Sequence, residues 1–142
     1  MIKLIAIDMD GTLLDDKKEI SAKNKAVLQE AAQAGIKIVL CTGRPKSGIL
    51  PYFDQLSLTD EEYVIGNNGC LTMSSKDWRF LRVEGVELDR LDALEALLAE
   101  FPQLNLVLFT PDANYVLGRE INAQARKDAE IEFSKIVHTD LA

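Results

Sequence analysis

Three short apolar runs in the first half of the chain, each followed by a polar loop, constrain its fold more than any other feature. The runs occupy residues 3–7, 36–40 and 63–65, and helical patterns separate them. Uninterrupted apolar runs rich in β-branched residues are typical of parallel strands covered on both faces. Alternation of strands with helices predicts an α/β fold with a parallel sheet and right-handed crossovers. Ligands of such sheets bind beyond the carboxyl ends of the strands.

The helix boundaries carry their own sequence markers. Ser21 is a suitable N-cap for a helix whose apolar positions include Val27 and Leu28, and Gly35 suits its end. Pro45 fits the first turn of a second helix that runs to about Leu56. These markers predict one helix in each of the two intervals between the three strands.

The pattern changes after residue 70. The sequence predicts two hairpins and two helices there. The first hairpin pairs 70–73 with 78–83, a helix spans 88–101, the second hairpin pairs 104–110 with 115–117, and the last helix spans 121–133. We therefore place a boundary near Glu84 and Gly85 and expect an α/β part at 1–84, followed by a small α+β unit at 85–142.

Composition and charge exclude several classes of function. With 142 residues and 47% apolar content, the chain can bury one core. A net charge of −7 argues against a nucleic-acid partner, which requires a positive surface. The first apolar run is too short for a signal peptide or a membrane span, so we expect a cytoplasmic protein without a membrane partner.

Cys41 and Cys70 lack metal-site spacing and are expected to be reduced, packed thiols. Nothing near His138 supports a catalytic triad.

Two carboxylates, Asp8 and Asp10, directly follow the first strand and precede Gly11. Carboxylates that converge repel each other unless they are protonated or bind a cation, and hard oxygen ligands favour Mg²⁺. Asp8 has the chemistry to attack phosphorus, and Asp10 can exchange a proton with the leaving alcohol and with water. The same residues also suit an ordinary turn. Their place between a buried strand and Thr-Leu-Leu favours the functional interpretation.

The loops after the second and third strands add candidate anion ligands. Thr42 and Gly43 offer a hydroxyl and backbone N–H groups ahead of a helix, where phosphate oxygens bind well. Arg44 can add a forked contact to an anionic substrate, and Asn68 follows the third strand. A simple helix cap at Thr42-Gly43 and an Asn-Gly turn at Asn68-Gly69 are the alternative interpretations.

The segments Asp8-Met9-Asp10-Gly11-Thr12-Leu13-Leu14, Thr42-Gly43-Arg44-Pro45 and Asn68-Gly69 together resemble the haloacid dehalogenase (HAD) superfamily, specifically its Cof-type sugar-phosphate phosphatases. The resemblance implies a Rossmann-like core, here with its first three strands, followed by part of an α+β cap. It implies a Mg²⁺-dependent phosphatase that acts on a small phosphorylated metabolite of the sugar-phosphate class. In that resemblance Asp8 is the nucleophile, Asp10 is the acid/base, and both lie near the metal. The phosphate cradle would map onto the Met9 backbone, Thr42 and Gly43.

The family pattern continues with two motifs, a lysine that pairs with the nucleophile and phosphate and a Gly-Asp-x-x-Asn-Asp-like loop, and we find neither motif in the last sixty residues. The candidates there are Lys127, Asp128, Lys135 and Asp140, which we interpret as solvated surface with no apolar strand leading to them. The chain therefore resembles the N-terminal half of a Cof-type protein. Without those charges the metal site and the phosphoryl site are expected to be weakened.

Two further hypotheses follow from that half-length pattern. The first strand would have an open apolar edge, which favours self-association or pairing with a separate second half. The alternative to a phosphatase is a truncated, non-catalytic fragment or a phosphate- or Mg²⁺-binding module. A receiver domain phosphorylated on Asp8 fits poorly, because its aspartates are not expected in Asp-x-Asp-Gly-Thr on the first strand.

Overall fold

The computed structural model describes residues 1–58, 61–110, 113–118 and 120–139, and the chain divides into two units, Met1–Glu84 and Gly85–Ala142. The first unit contains β1 (Leu4–Ile7), α1 (Ala22–Gln33), β2 (Lys37–Cys41), α2 (Lys46–Leu56), β3 (Tyr63–Gly66), β4 (Leu71–Ser74) and β5 (Phe80–Val83). The second contains α3 (Leu91–Glu100), β6 (Leu106–Phe109), β7 (Asn114–Leu117), α4 (Ala123–Ile131) and β8 (Ile136–Thr139). The predicted α/β class is confirmed.

The five strands of the first unit form one sheet in the order β1-β2-β3-β4-β5. The first three strands are parallel, and β3, β4 and β5 pair antiparallel. The parallel sheet and the first hairpin are therefore present as predicted. Because β1, β2 and β3 are parallel, Asp8, Thr42 and Asn67 all follow strand ends on the same edge of the sheet.

Local sequence markers explain where α1 lies. The Ser21 hydroxyl oxygen accepts the Asn24 N–H at 3.1 Å, which satisfies one of the free donors of the first turn. Both crossovers advance in the same direction across the sheet, so their right-handed sense puts α1 and α2 on one face. A hydrogen bond of 2.9 Å from Gln29 Nε2 to the Leu56 carbonyl links the two helices.

The core of the first unit is built on a row of paired residues that crosses the sheet. Ile7 pairs with Leu40, Leu40 with Val64, Val64 with Met73, and Met73 with Phe80. Leu40, Val64 and Met73 have no solvent exposure. The row lies on the face of the sheet that packs against the helices.

The expectation that β1 is covered on both faces is wrong. Ile5 and Ile7 pack against the core, whereas Leu4 and Ala6 are exposed. The physical reason is that α1 and α2 pack on the face that carries Ile5 and Ile7, and that β1 is an outer strand of the described sheet with a neighbour on only one side. The open edge was predicted; association of that edge with another chain stays a prediction.

The second unit has a three-stranded sheet in the order β6-β7-β8. Strands β6 and β7 form the second predicted hairpin, and β8 pairs parallel with β7. Sequence analysis missed β8, because a four-residue strand that includes His138 and Thr139 has a weak apolar pattern. It ends directly before Asp140, so the expectation that no apolar strand leads there is wrong, although Asp140 itself lies outside the described residues.

Other expectations about individual side chains have mixed outcomes. Lys127, Asp128 and Lys135 are exposed, in agreement with their interpretation as solvated surface. Cys41 and Cys70 are both free thiols. Cys41 is half-buried, but Cys70 is exposed because it follows the short turn Asn67–Gly69 outside β4, so its prediction as a packed thiol is wrong.

None of the described helices combines the length and apolar character that crossing a bilayer requires.

Replacement of Leu40 by alanine tests the central row. Leu40 has no exposure, so Leu40→Ala is expected to lower the free energy of unfolding by about 2–5 kcal/mol through lost burial and a new cavity. Urea denaturation measures the change. Leu4→Ala on β1, where the leucine is 52% exposed, is the matched control and is expected to change stability much less. Equal losses in both variants would contradict this assignment of the core.

Candidate active site

Directly after β1, buried and exposed side chains alternate from one residue to the next. Met9 is fully buried, and both of its neighbours, Asp8 and Asp10, are exposed. The Met9 side chain anchors the segment in the core cluster. The two carboxylates therefore lie on the solvent side of one buried anchor.

A turn that requires glycine follows directly. Gly11 has a φ of +75°, a conformation that strains any residue with a Cβ. The turn closes on the strand end, since the Leu13 N–H donates to the Asp8 carbonyl at 3.1 Å and the Leu14 N–H to the Met9 carbonyl at 2.8 Å. The glycine after the carboxylates thus allows the chain to fold back and to fix the backbone of Asp8 and Met9.

Asp10 is held by two cationic side chains. Arg44 binds both carboxylate oxygens, with Nε 2.7 Å from Oδ2 and a terminal nitrogen (Nη2) 2.9 Å from Oδ1. Lys18 Nζ also donates to Oδ1, at 2.7 Å. Lys18 belongs to the turn after the motif, where Asp15 Oδ1 accepts the Glu19 N–H at 2.9 Å.

The role of Arg44 as a contact for a substrate anion stays a prediction, and its surroundings already include an anion. Arg44 is only 4% exposed, and Asp10 already fills the fork of its guanidinium. A terminal nitrogen (Nη1) also donates to the Gly48 carbonyl at 3.4 Å, and the guanidinium lies 5.0 Å from the centre of the Tyr52 ring. A buried cation needs an anion close by, and Asp10 supplies it.

These contacts change the acid–base properties of the pair. The Arg44 hydrogen bond, and then Lys18, hold the pKa of Asp10 well below its usual range, although partial burial opposes the change. The same hydrogen bond raises the pKa of Arg44. Asp10 is therefore a carboxylate at neutral pH in this arrangement.

Asp8 has a different environment. Among the described residues, no side chain forms an ion pair or hydrogen bond with its carboxylate. Burial, and second the Asp8 charge, raise the pKa of the Cys41 thiol at the end of β2. The Asp8 carboxylate is thus exposed at the strand ends, next to the loop that begins with Thr42.

The loop after β2 is ordered by the loop after β3. Thr42 is 7% exposed, its hydroxyl oxygen accepts the Arg44 N–H at 3.2 Å, and its carbonyl accepts the Asn68 N–H at 3.2 Å. A Cβ added to Gly43 would lie 2.9 Å from Asn68 Oδ1. Glycine therefore lets the Asn68 amide rest on the loop, so the structure brings Thr42, Gly43 and Asn68 together. Their roles as phosphate ligands stay predictions.

Sequence analysis missed three residues that shape this region. Lys18 and Tyr52 contact the Asp10–Arg44 pair, and Asn67 has a left-handed backbone and a buried Oδ1 without a hydrogen-bond partner among the described residues. The one available indication was electrostatic, because a carboxylate at a strand end needs a nearby cation and lysines at 17 and 18 follow closely.

Comparison with known proteins identifies the family. Residues 5–141 match the model of the haloacid dehalogenase-like hydrolases. The chain belongs to this haloacid dehalogenase-like hydrolase family. "Putative phosphatase YxeH" of Bacillus subtilis is 51% identical over 76 residues, which cover 53% of this chain and 28% of the relative. "Putative phosphatase M6_Spy0533" of Streptococcus pyogenes serotype M6 is 40% identical over 122 residues, which cover 84% of this chain and 45% of the relative.

A solved structure of the family has the same fold. A haloacid dehalogenase-like hydrolase from Bacteroides thetaiotaomicron superposes with a TM-score of 0.80 at 25% identity, covering 98% of this chain and 52% of that one. The chain thus spans about half the length of the solved relative, and less than half of the two curated relatives.

The described residues offer part of a donor set for the Mg²⁺ ion that the family resemblance implies. They contain no group of three or more His, Cys, Asp or Glu side chains arranged to hold a metal. Magnesium sites often use only one or two carboxylates together with substrate phosphate, and the open Asp8 carboxylate fits that pattern. Asp10 gives both oxygens to Arg44 and Lys18, so its role as a metal ligand stays a prediction.

Alanine at Gly43 tests the packing of the two loops. Gly43 lies outside the left-handed region, so the expected cost of Gly43→Ala is steric, and movement of the Asn68 side chain limits it to about 1 kcal/mol. Urea denaturation of both single variants and of the Gly43→Ala/Asn68→Ala double variant measures the coupling. The cost of the alanine should be smaller without Asn68. An unchanged cost in that background would contradict the contact.

Acid conditions test the ion pair. Because the pKa of Asp10 is lower in the folded protein than its usual 3.8, its stabilising effect is complete above about pH 5 and is lost as the pH falls below about 4. Asp10→Asn should therefore be less stable than the wild type at pH 7. The expected loss lies between about 1 kcal/mol for an exposed pair and about 3–5 kcal/mol for a broken buried pair.

That difference in free energy of unfolding should shrink at pH 3, because Asp10 of the unfolded wild-type chain binds a proton there while the folded carboxylate stays ionised. Denaturation at both pH values measures it, with the exposed helical Asp54→Asn as the control. A difference that stays constant with pH would mean that the Asp10 charge contributes no stability.

Proposed function

We propose that the site is that of a Mg²⁺-dependent phosphatase that hydrolyses a small phosphorylated metabolite through an aspartyl-phosphate. The observation that carries the proposal is the contrast between the two carboxylates at the end of β1. Asp8 is exposed and open, whereas Asp10, two residues away, is fixed by Arg44 and Lys18. One group is thus available to react with substrate, and the other is held for proton transfer.

In the proposed reaction, an Asp8 carboxylate oxygen attacks phosphorus and the bond from phosphorus to the ester oxygen breaks. The alcohol leaves with a proton donated by Asp10, and Asp8 carries the phosphoryl group. Water then attacks phosphorus and gives a proton to Asp10, and the bond from phosphorus to the Asp8 oxygen breaks, which releases inorganic phosphate and regenerates Asp8. A bound Mg²⁺ would neutralise the charge of the phosphoryl oxygens.

Asp10 is proposed to move the protons in both steps. Its ionised form is ready to accept a proton from the attacking water, because Arg44 and Lys18 stabilise the carboxylate. Donation to the leaving alcohol requires the protonated form, which the same cations oppose. Asp10 must therefore be protonated before the alcohol leaves, whereas the arrangement seen in the structure suits the general-base step.

The two units are proposed to have separate roles in this function. Residues 1–84 carry the proposed catalytic carboxylates and phosphate ligands, and we assign them to the core. Residues 85–142 are assigned to part of an α+β cap, the element that selects the substrate in the family the motifs resemble. A sugar phosphate is the substrate class proposed from that resemblance.

A non-catalytic module that binds phosphate or Mg²⁺ is the second candidate. It is favoured by the absence, in the described part of the chain, of a cluster of three or more potential metal ligands. Such a module would use the same Thr42 and Gly43 loop without turnover.

Hydrolysis of an aryl phosphate in the presence of Mg²⁺ tests the proposal. The wild-type chain is expected to release the phenolate, and Asp8→Asn is expected to reduce the rate to background, because the amide cannot act as the nucleophile. Mass spectrometry of wild-type protein quenched during turnover should find a phosphoryl group on the peptide that contains Asp8.

Asp54→Asn, an exposed residue of α2, is the control and should keep wild-type turnover. Turnover that persists in Asp8→Asn would overturn the assignment of the nucleophile. Absence of turnover, with calorimetric binding of phosphate and Mg²⁺ retained, would instead support the non-catalytic module.

A further inference from the structure

The contact between Arg44 and Asp10 has the geometry of a rigid support. Two parallel N–H···O bonds of 2.7 and 2.9 Å join the guanidinium fork to the two oxygens of one carboxylate. A bidentate contact fixes the rotation of the carboxylate plane as well as its position, which a single bond to a point charge does not. The orientation of Asp10 is therefore set by Arg44.

Arg44 is itself fixed on several sides. Its guanidinium is bonded to the Gly48 carbonyl of α2 at 3.4 Å and lies against the Tyr52 ring. Its backbone N–H donates to Thr42 Oγ1, and its backbone carbonyl accepts the Asn67 N–H at 3.0 Å. The 4% exposure of the residue leaves no open side for a substrate anion to reach the fork without displacing Asp10.

Lys18 provides a contrast at the same carboxylate. Its side chain is 46% exposed, and it reaches Oδ1 of Asp10 from a surface turn through one bond of 2.7 Å. A long exposed side chain of this kind contributes charge but little orientation. The two cations on Asp10 thus differ in function, and the buried one determines its geometry.

We propose that Arg44 is a positioning residue, which orients the Asp10 carboxylate for proton transfer and does not bind the substrate anion. The inference rests on the function proposed above. It predicts that loss of the fork impairs the chemical step, because misplacement of a reacting group by about 1 Å can reduce a rate by on the order of 10²-fold. A substrate ligand would instead affect mainly substrate binding.

Steady-state kinetics with an aryl phosphate and Mg²⁺ separate these roles in Arg44→Lys, which keeps the charge and removes the fork. We expect kcat to fall by on the order of 10²-fold, with KM within about threefold of wild type. Arg82→Lys is the matched control, because Arg82 pairs with Glu84 at 2.9 Å on an exposed surface. A raised KM with unchanged kcat would overturn the proposal.

A second measurement needs no turnover. Two-dimensional ¹⁵N–¹H spectra of arginine-labelled protein report the Arg44 Nε–H, assigned by its loss in Arg44→Lys. We expect this resonance to be protected from exchange in the wild type, to shift in Asp10→Asn and to stay in place when inorganic phosphate and Mg²⁺ are added. A resonance that moves with phosphate, or that ignores Asp10→Asn, would overturn the proposal.

The two measurements also distinguish the inference from the function on which it rests. The first possible outcome is that the wild type shows no turnover and that the Arg44 resonance depends on Asp10 and not on phosphate. That outcome would reject the phosphatase function and retain the contact of Arg44 with Asp10. The second possible outcome is that Asp8→Asn loses turnover and that Arg44→Lys raises KM with unchanged kcat. That outcome would support the phosphatase function and reject the positioning role of Arg44.

Discussion

The candidate site depends on one ion pair, in which the buried Arg44 guanidinium requires a nearby anion and Asp10 supplies it. Arg44 is 4% exposed, and a guanidinium in such surroundings is costly unless a carboxylate lies beside it. Asp10 meets that requirement through both oxygens. Because Asp10 follows β1 and Arg44 follows β2, their contact ties together two loops at the same edge of the sheet. The carboxylate that is proposed to move protons is therefore also a structural partner.

The same contact separates the chemistry of two aspartates that look alike in the sequence. Asp8 and Asp10 flank the buried Met9 and are both exposed. The cations that hold Asp10 lower its pKa, whereas no described side chain pairs with the Asp8 carboxylate. The proposed roles of nucleophile and base thus follow from the different partners of the two carboxylates and not from their residue type.

Several parts of the fold were predictable because short-range rules determine them. Ser21 caps α1, and the apolar runs form β1, β2 and β3 in parallel order. The predictions failed where the outcome depends on neighbours distant in sequence. The burial of β1 depends on which face of the sheet the helices cover and on a neighbouring strand. Strand β8 is only four residues long, and its pairing with β7 defines it. The resemblance to the family was visible in the sequence, because the order and spacing of the motifs are properties of the sequence itself.

The sequence by itself determined which residues follow each strand, and parallel order then brought Asp8, Thr42 and Asn68 to one edge. It also determined the turn at Gly11, because a left-handed φ there favours glycine. Only the tertiary structure decided that the Arg44 guanidinium is buried and bonded to Asp10. The physical reason is burial: the orientation of the guanidinium was fixed by Tyr52, the Gly48 carbonyl and Asp10, which meet it only after the chain has folded.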